Sequence, residues 1–455
     1  MKRILLFTIA AVLFLGNMHA QQSAPILLNY STLQKKVERS NDRIEHHRRG
    51  EKPRTWVNRG ELFQDVENLG LEQITIGMNK SAVKIFYSDP ISEEVNDENV
   101  EVLTYEHWKY LFEDNLLRGW VKIDPIHENP LDEAFRSYKK AIELTEEDDK
   151  MNEMEKMKDQ LAALKGQYQR AGQNHYYQED LDAALNDFES ILSINELPVF
   201  DGVIDTLMIN YSGIVAREIG RRAMEAGNEE KGKKMYKKTI DLYKKLTELG
   251  SGGASTYIQM TRDYYAAGDT LGAIDNLKDG IERYPDSTIL VTVAAQAYYL
   301  MDDNEGGLEF VNQRIENKPD CPAAYYWKGL LITNVDNVSE DTIKISLDLY
   351  DKSLELDPTN GNVWYQAGYV NYAIGANYYE QESYEEDDEL RKELNKKGRD
   401  YYITAAEKLE KTYEVSEDDP VLQKESLDLL KRIYYKLYGG EDERYQEINR
   451  RLKEL

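Results

Sequence analysis

The chain has 455 residues, 41% hydrophobic and 31% charged, with a formal net charge of −27 at pH 7. That apolar share supports a substantial core and excludes a disordered chain, while the carboxylate excess argues against a general binder of nucleic acid or anionic lipid. The single cysteine, Cys321, excludes internal disulfides and cysteine-rich zinc sites. Tyrosine dominates the aromatic content, with 33 against 9 phenylalanines, so the bulky fillers of this chain also carry a polar tip.

At the N-terminus, Lys2 and Arg3 precede an apolar run from Ile4 to Leu15. The run is too short to anchor in a bilayer, and Gly16, Asn17 and Ala20 supply a cleavage region. Residues 1–20 therefore read as a signal peptide cut after Ala20. Export to the periplasm of a Gram-negative bacterium is expected, with no transmembrane segment left after cleavage. Residues 21–54 form a polar, basic lead-in. Its stretch 35–54 holds eight lysines and arginines against four acids, and is expected to be solvated and partly disordered. That charge would also suit an acidic protein face or lipid headgroups.

Residues 55–148 read as an interrupted helical hairpin. Trp56 and Gly60 set an aromatic–three residues–Gly spacing, with Phe63 on the same face. The matching second helix appears only at Ala134, Tyr138 and Ala141, within 131–145. Gly60 to Ala134 spans 74 positions, against 12 from Gly172 to Ala184 further on. The insert lies at about 71–125; insertions in such arrays sit in loops, where closure costs little. Gly77-Met78-Asn79-Lys80 opens a short helix through Val83 and Phe86 that ends at Asp89-Pro90. A polar stretch follows (Ser92, Glu93, Glu94, Asn96, Asp97, Glu98), then two strand-like runs, 100–112 and 116–123, joined by the hairpin turn Glu113-Asp114-Asn115. This order, with Tyr105, Tyr110, Phe112 and Trp120 in the hairpin, resembles the small SmpA/OmlA-type domain over roughly fifty residues. Ser88 stands where that family usually has glycine, and the turn lacks its glycine. The resemblance implies an accessory subunit of outer-membrane assembly or secretion machinery; a generic α+β packing insert has the same texture.

From 149 to 420 the chain repeats itself. Pro285 and Pro319 lie 34 residues apart, each closing a helical stretch. Tyr257, Thr261 and Tyr264 share one helix face, Gly268 breaks that helix, and Ala273, Leu277 and Gly280 form the next face. The aromatic–Gly spacing recurs at Tyr168/Gly172 (followed by Ala184 and Phe188), Tyr325/Gly329 and Trp364/Gly368. Gly220 follows Ala216 at the same offset, with Gly227, Gly232 and Tyr236 downstream. These positions resemble the tetratricopeptide repeat (TPR), with units at 165–198, 213–249, 254–287, 288–321, 322–360 and 361–420. Thr261 and Ala295 occupy its glycine place, and Gly280 its second alanine place. The last unit contains an acidic insertion at 378–390 with seven carboxylates and no base, expected to be a solvated loop or helix extension. Residues 421–455 read as a charged closing pair of helices broken at Gly439-Gly440. The expected fold is mainly α: a TPR-like α-solenoid of antiparallel helix pairs with a small α+β insertion in the first repeat.

Chemistry is sparse. There is no G-x-S-x-G, G-x-x-x-x-G-K-[ST], H-E-x-x-H or C-x-x-C. His46-His47 lack a third ligand at usable spacing, Ser251-Gly252-Gly253 reads as a turn, and Cys321 as a small residue before Pro322. No catalytic residue, metal or cofactor is expected. In the TPR family the inner, concave side comes from the first helix of each pair. That resemblance places Tyr176, Arg217, Arg221, Arg262, Tyr265, Tyr299, Tyr326, Tyr365, Tyr369 and Tyr372 in a groove for a protein or peptide partner, and an envelope complex fits the expected location. Arg217, Arg221 and Arg262 would form a basic stripe suited to a carboxylate-bearing stretch. The expected function is a non-enzymatic exported scaffold, ahead of an assembly accessory or an enzyme.

Overall fold

Helix starts are written locally: Asn29, Asn79, Asp180, Asn228, Asp269, Asp303 and Asn360 each turn a side-chain oxygen onto the first free backbone N–H groups, and prolines open others. The computed structural model describes residues 29–455 apart from 88, 97–98 and 335–337; the expected signal peptide lies outside the described residues. The chain divides into two compact units, Met1–Val215 and Ala216–Leu455.

In the first unit, α1 (Tyr30–Glu45) packs on α2 (Pro53–Asn68), and the insert follows as α3 (Lys80–Phe86) and four strands. These are β1 (Ser92–Val95), β2 (Glu101–Thr104), β3 (Trp108–Glu113) and β4 (Leu116–Lys122), antiparallel in the order β1-β2-β3-β4. Then come α4 (Pro130–Glu143), α5 (Lys150–Lys156), α6 (Lys158–Tyr177) and α7 (Leu181–Asn195). Helix α8 (Thr206–Glu225) runs through the division between the units. The second unit continues with α9 (Glu229–Glu248), α10 (Ala254–Ala267), α11 (Thr270–Arg283), α12 (Thr288–Leu300), α13 (Asn304–Asn317), α14 (Pro322–Thr333), α15 (Glu340–Leu356), α16 (Gly361–Tyr384), α17 (Asp388–Val415), α18 (Pro420–Tyr438) and α19 (Glu443–Glu454).

The pairing is of tetratricopeptide type, and a size match recurs in its hairpins. A methyl group at Gly60 would lie 2.5 Å from the buried Tyr138 ring, one at Gly172 would lie 2.6 Å from Phe188, and one at Gly329 would lie 2.6 Å from Tyr350. Backbone therefore approaches backbone, and the ring occupies the space a side chain would need. In α10–α11 the roles are exchanged: Tyr257 of the first helix lies over Gly280 of the second. The buried Thr261, at the glycine place, bonds the Tyr257 carbonyl (2.8 Å) and accepts from Asn276 (2.9 Å). In the second unit each second helix from α9 on also meets the next first helix, and α10 meets α12, α12 meets α14, and α16 meets α18. Successive first helices of the second unit therefore lie side by side at α10, α12 and α14 and again at α16 and α18. The fold is a mainly α, TPR-type solenoid with a small α+β insertion in its first repeat.

Helices α2 and α4 pair across the whole insert through Gly60/Tyr138 and a buried Arg59–Glu133 ion pair at 2.7 Å. The insert has its own core, with Leu71, Ile74, Val83, Leu103, Tyr110, Phe112 and Leu117 nearly fully buried. It docks on α6, where the Trp120 N–H donates to Asn174 Oδ1 (2.8 Å) and Gln178 Nε2 donates to the Trp120 carbonyl (2.7 Å).

Several expectations need correction. The run 100–112 is two strands, because the chain turns between Tyr105 and Trp108 (N–H to carbonyl, 2.9 Å). The polar stretch begins as β1, which among the described residues is an edge strand paired with β2 alone. The lead-in is not disordered over α1, which buries Leu33, Val37 and Ser40 at spacings of four and three. The acidic segment at 378–390 takes the helix-extension form of the two expected: α16 and α17 run on to 24 and 28 residues and the segment forms the tip of their hairpin. The units expected at 165 and 213 begin with helices starting at Lys158 and Thr206, two turns earlier.

Replacing Gly60 by Ala should cost about 1–3 kcal/mol, because Tyr138 is buried and hydrogen-bonded to Gln64 and cannot yield. Gly166→Ala, facing open space in α6, should gain up to about 1 kcal/mol. Urea titrations of the two variants check the contrast.

Candidate interaction surfaces

The ten expected groove positions differ in what they touch. Tyr326 lies 5.5 Å from Trp327 and 6.0 Å from Tyr350, and burial pushes its hydroxyl up to about 12. Tyr299 packs on the same Trp327 (6.1 Å). Tyr372 stacks on Tyr402 inside the long hairpin (5.3 Å). Tyr365 packs against the cluster of Leu409, Leu427 and Leu430, and stacks on Tyr369 at 6.4 Å. These four are half-buried, fastened by one side and open on the other. Tyr176 is half-buried on α6 in the first unit.

The arginines are less free than a basic stripe requires. Arg217 clasps Asp263 through two bonds of 2.7 Å, and Asp263 is buried, so the pair ties α8 to α10. Arg221 is exposed but held by Glu218 and Glu225 on its own helix. The stripe is therefore largely neutralised by acids that lie one helical turn away or on the next first helix. Arg262 is exposed, as are Tyr265 (40%) and Tyr369 (46%). These three are the members of the set open enough to meet a partner without repacking.

Sequence spacing missed a second site, in the first unit. A cavity of about 310 Å³ opens between β4, the segment 125–132, α6 and α7. On its wall His175 Nδ1 and Asp187 Oδ2 are 2.7 Å apart, and the Asp187 carboxylate is buried. Lys122 pairs with buried Glu67 at 2.6 Å on the same wall. Burial lowers the His175 imidazole, but the bond to Asp187 and that carboxylate's charge outweigh it, and the net shift is upward from 6.5. Burial pushes Asp187 up to about 6, with His175 opposing. The pair can hold or pass one proton. None of the lining residues is a serine, threonine or cysteine, so the wall carries no hydroxyl or thiol nucleophile from those types. His46 and His47 stack on each other at 4.8 Å, exposed at the end of α1. Cys321 is buried. Among the described residues no helix is long and apolar enough to cross a membrane.

No protein-family model matches the chain, nor does any curated protein. Among solved structures it is similar to the C-terminal part of a TPR repeat-containing protein from Cytophaga hutchinsonii (17% identity, 66% of this chain and 98% of that one, TM-score 0.35). A TPR repeats protein from Bacteroides fragilis shares 13% identity over 58% of this chain and 97% of its own, with a TM-score of 0.31. MamA from Desulfovibrio magneticus shares 17% over 46% and 97%, with a TM-score of 0.26.

The His175 imidazole should titrate above 6.5 by NMR. In Asp187→Asn it should fall, because burial is then opposed only by the more weakly acting charges of Asp180 and Glu67. Both groups bind protons more tightly when folded. Their contribution to stability is thus complete below the unfolded values and is lost as pH rises, first through about 6 for Asp187 and then through the raised His175 value.

Proposed function

We propose that the protein is an exported, non-enzymatic interaction scaffold that holds a polypeptide partner along the first-helix layer of its second unit. The observation that carries this reading is the half-fastened tyrosine row. Tyr299, Tyr326, Tyr365 and Tyr372 are braced from behind by Trp327, Tyr350, Leu409 and Tyr402, while Arg262, Tyr265 and Tyr369 reach solvent. A braced ring presents area without first losing rotamer freedom, and tyrosine and arginine are the residue types that dominate binding energy. Arg217 and Arg221 serve this surface by holding α8 and its acids in place. Tyr176 is the corresponding position of the first unit. The basic start and short apolar run at residues 1–20 support export to the periplasm.

The triple variant Arg262→Ala, Tyr265→Ala, Tyr369→Ala should keep its far-ultraviolet circular dichroism and melting profile. Each true hot spot among them should cost about 2 kcal/mol, roughly thirtyfold in affinity. Quantitative pull-down of the crosslinked partner from envelope extract checks this; unchanged capture would remove the assignment.

A further inference from the structure

A second feature stands apart from the tyrosine layer. A cleft of about 650 Å³ opens between α1, the turn after it and the first half of α2. Lys36, Arg39 and Arg43 enter from α1, Arg49 and Lys52 from the turn, and Arg54 from α2. Among the described residues none of these six makes a close ion pair or a side-chain hydrogen bond, and Lys36 acts on Asp65 only through its charge. Elsewhere the chain's cations are routinely matched, as Arg221 is by two carboxylates and Arg451 by Glu410 and Glu447. In a chain of net charge −27, an unmatched group of six positive charges is a local inversion of the overall field.

The cleft is built and does not arise from loose surface side chains. Buried Arg59 is its floor: one nitrogen bonds Glu133 (2.7 Å), while Nη1 donates to Ser40 Oγ (3.0 Å) and Asn41 Oδ1 (2.9 Å), pinning α1 to α2. Trp56 Nε1 donates to the Gly50 carbonyl (2.7 Å) and fixes the turn. The start of α2 opens into this region without a side-chain cap and without an acid in its first turn, so the positive end of a 16-residue helix is left uncompensated. Glu61 and Asp65 line the cleft as well, and Glu61 already accepts from Gln160 at 3.1 Å. Six cations against two carboxylates leave a strong positive excess.

We propose that this cleft binds a multiply charged phosphate group. Leu62 is the one apolar side chain among the lining residues, which disfavours a peptide, whose side chains need apolar pockets. The volume is that of a small-ligand site. Four of the six cations are arginines, whose planar forks take two phosphate oxygens at once. Free phosphate esters and phospholipid headgroups share this chemistry.

The test is calorimetry on the purified protein at about 0.15 M salt, with sodium pyrophosphate as the soluble probe. Co-sedimentation with phosphatidylcholine vesicles containing about one third phosphatidylglycerol is the second arm. Saturable binding in either arm, weakened roughly tenfold or more in Arg39→Gln/Arg43→Gln/Arg54→Gln and unchanged in Arg391→Gln, supports the site. Pyrophosphate alone identifies a free ester as the source, and vesicle binding identifies a headgroup. The substituted side chains are exposed, and circular dichroism confirms that the triple variant is folded. Binding in neither arm, or binding that the triple variant retains, overturns the proposal. An oligoglutamate peptide that displaces pyrophosphate and binds more tightly also overturns it, assigning the cleft to an acidic polypeptide.

Discussion

The structure depends on one recurrent contact, a missing side chain on one helix of a hairpin met by a large one on the other. Gly60 under Tyr138, Gly172 under Phe188, Gly329 under Tyr350 and Gly368 under Leu409 are the same solution in four places. It fixes how closely two helices approach and at what height, and so the register of everything attached to them. Tyr257 over Gly280 shows that the constraint is on summed volume, since the small and large partners can exchange helices. It also gives the tyrosine excess a structural share. Tyr138 and Tyr168 are fully buried yet keep their hydroxyls on Gln64 and on Asp132 (2.9 Å), which phenylalanine could not do.

Once that contact is set, the connection between the two helices is nearly free. Between α2 and α4 it holds a helix and a four-stranded sheet with a core of its own; between α16 and α17 it is a short acidic turn at the end of an extended hairpin. Both additions leave the central contact intact. The additions therefore sit at hairpin tips, leaving the first-helix tyrosines and the cleft between α1 and α2 undisturbed.

Legibility followed the same physics. Gly/aromatic pairs at constant offset were readable because close approach tolerates few residue types. The helix α1 was not, because its buried stripe is only Leu33, Val37 and Ser40 amid eight cations in 35–54. Strand β1 was not, because its residues are mostly exposed and show no alternation of buried and open positions. The turn at Asp114 and Asn115 was readable without glycine, since both residues adopt the left-handed conformation (φ 50° and 65°). For the tyrosines, a neighbouring position on a helix points about 100° away, and family register alone could not separate a braced ring such as Tyr326 from an open one such as Tyr369. Arg217 found a buried partner 46 residues on, and His175 found Asp187 on the other helix of its hairpin. No local spacing rule relates either pair.

The most direct test of the scaffold reading is site-specific photo-crosslinking in cells. A photoreactive amino acid would replace Tyr265 or Tyr369 on first helices, and Leu271 or Ile345, which are exposed on second helices. The account predicts a discrete crosslinked polypeptide from the first pair of positions and none from the second. Equal crosslinking from all four, or crosslinking from the second-helix positions alone, would contradict it.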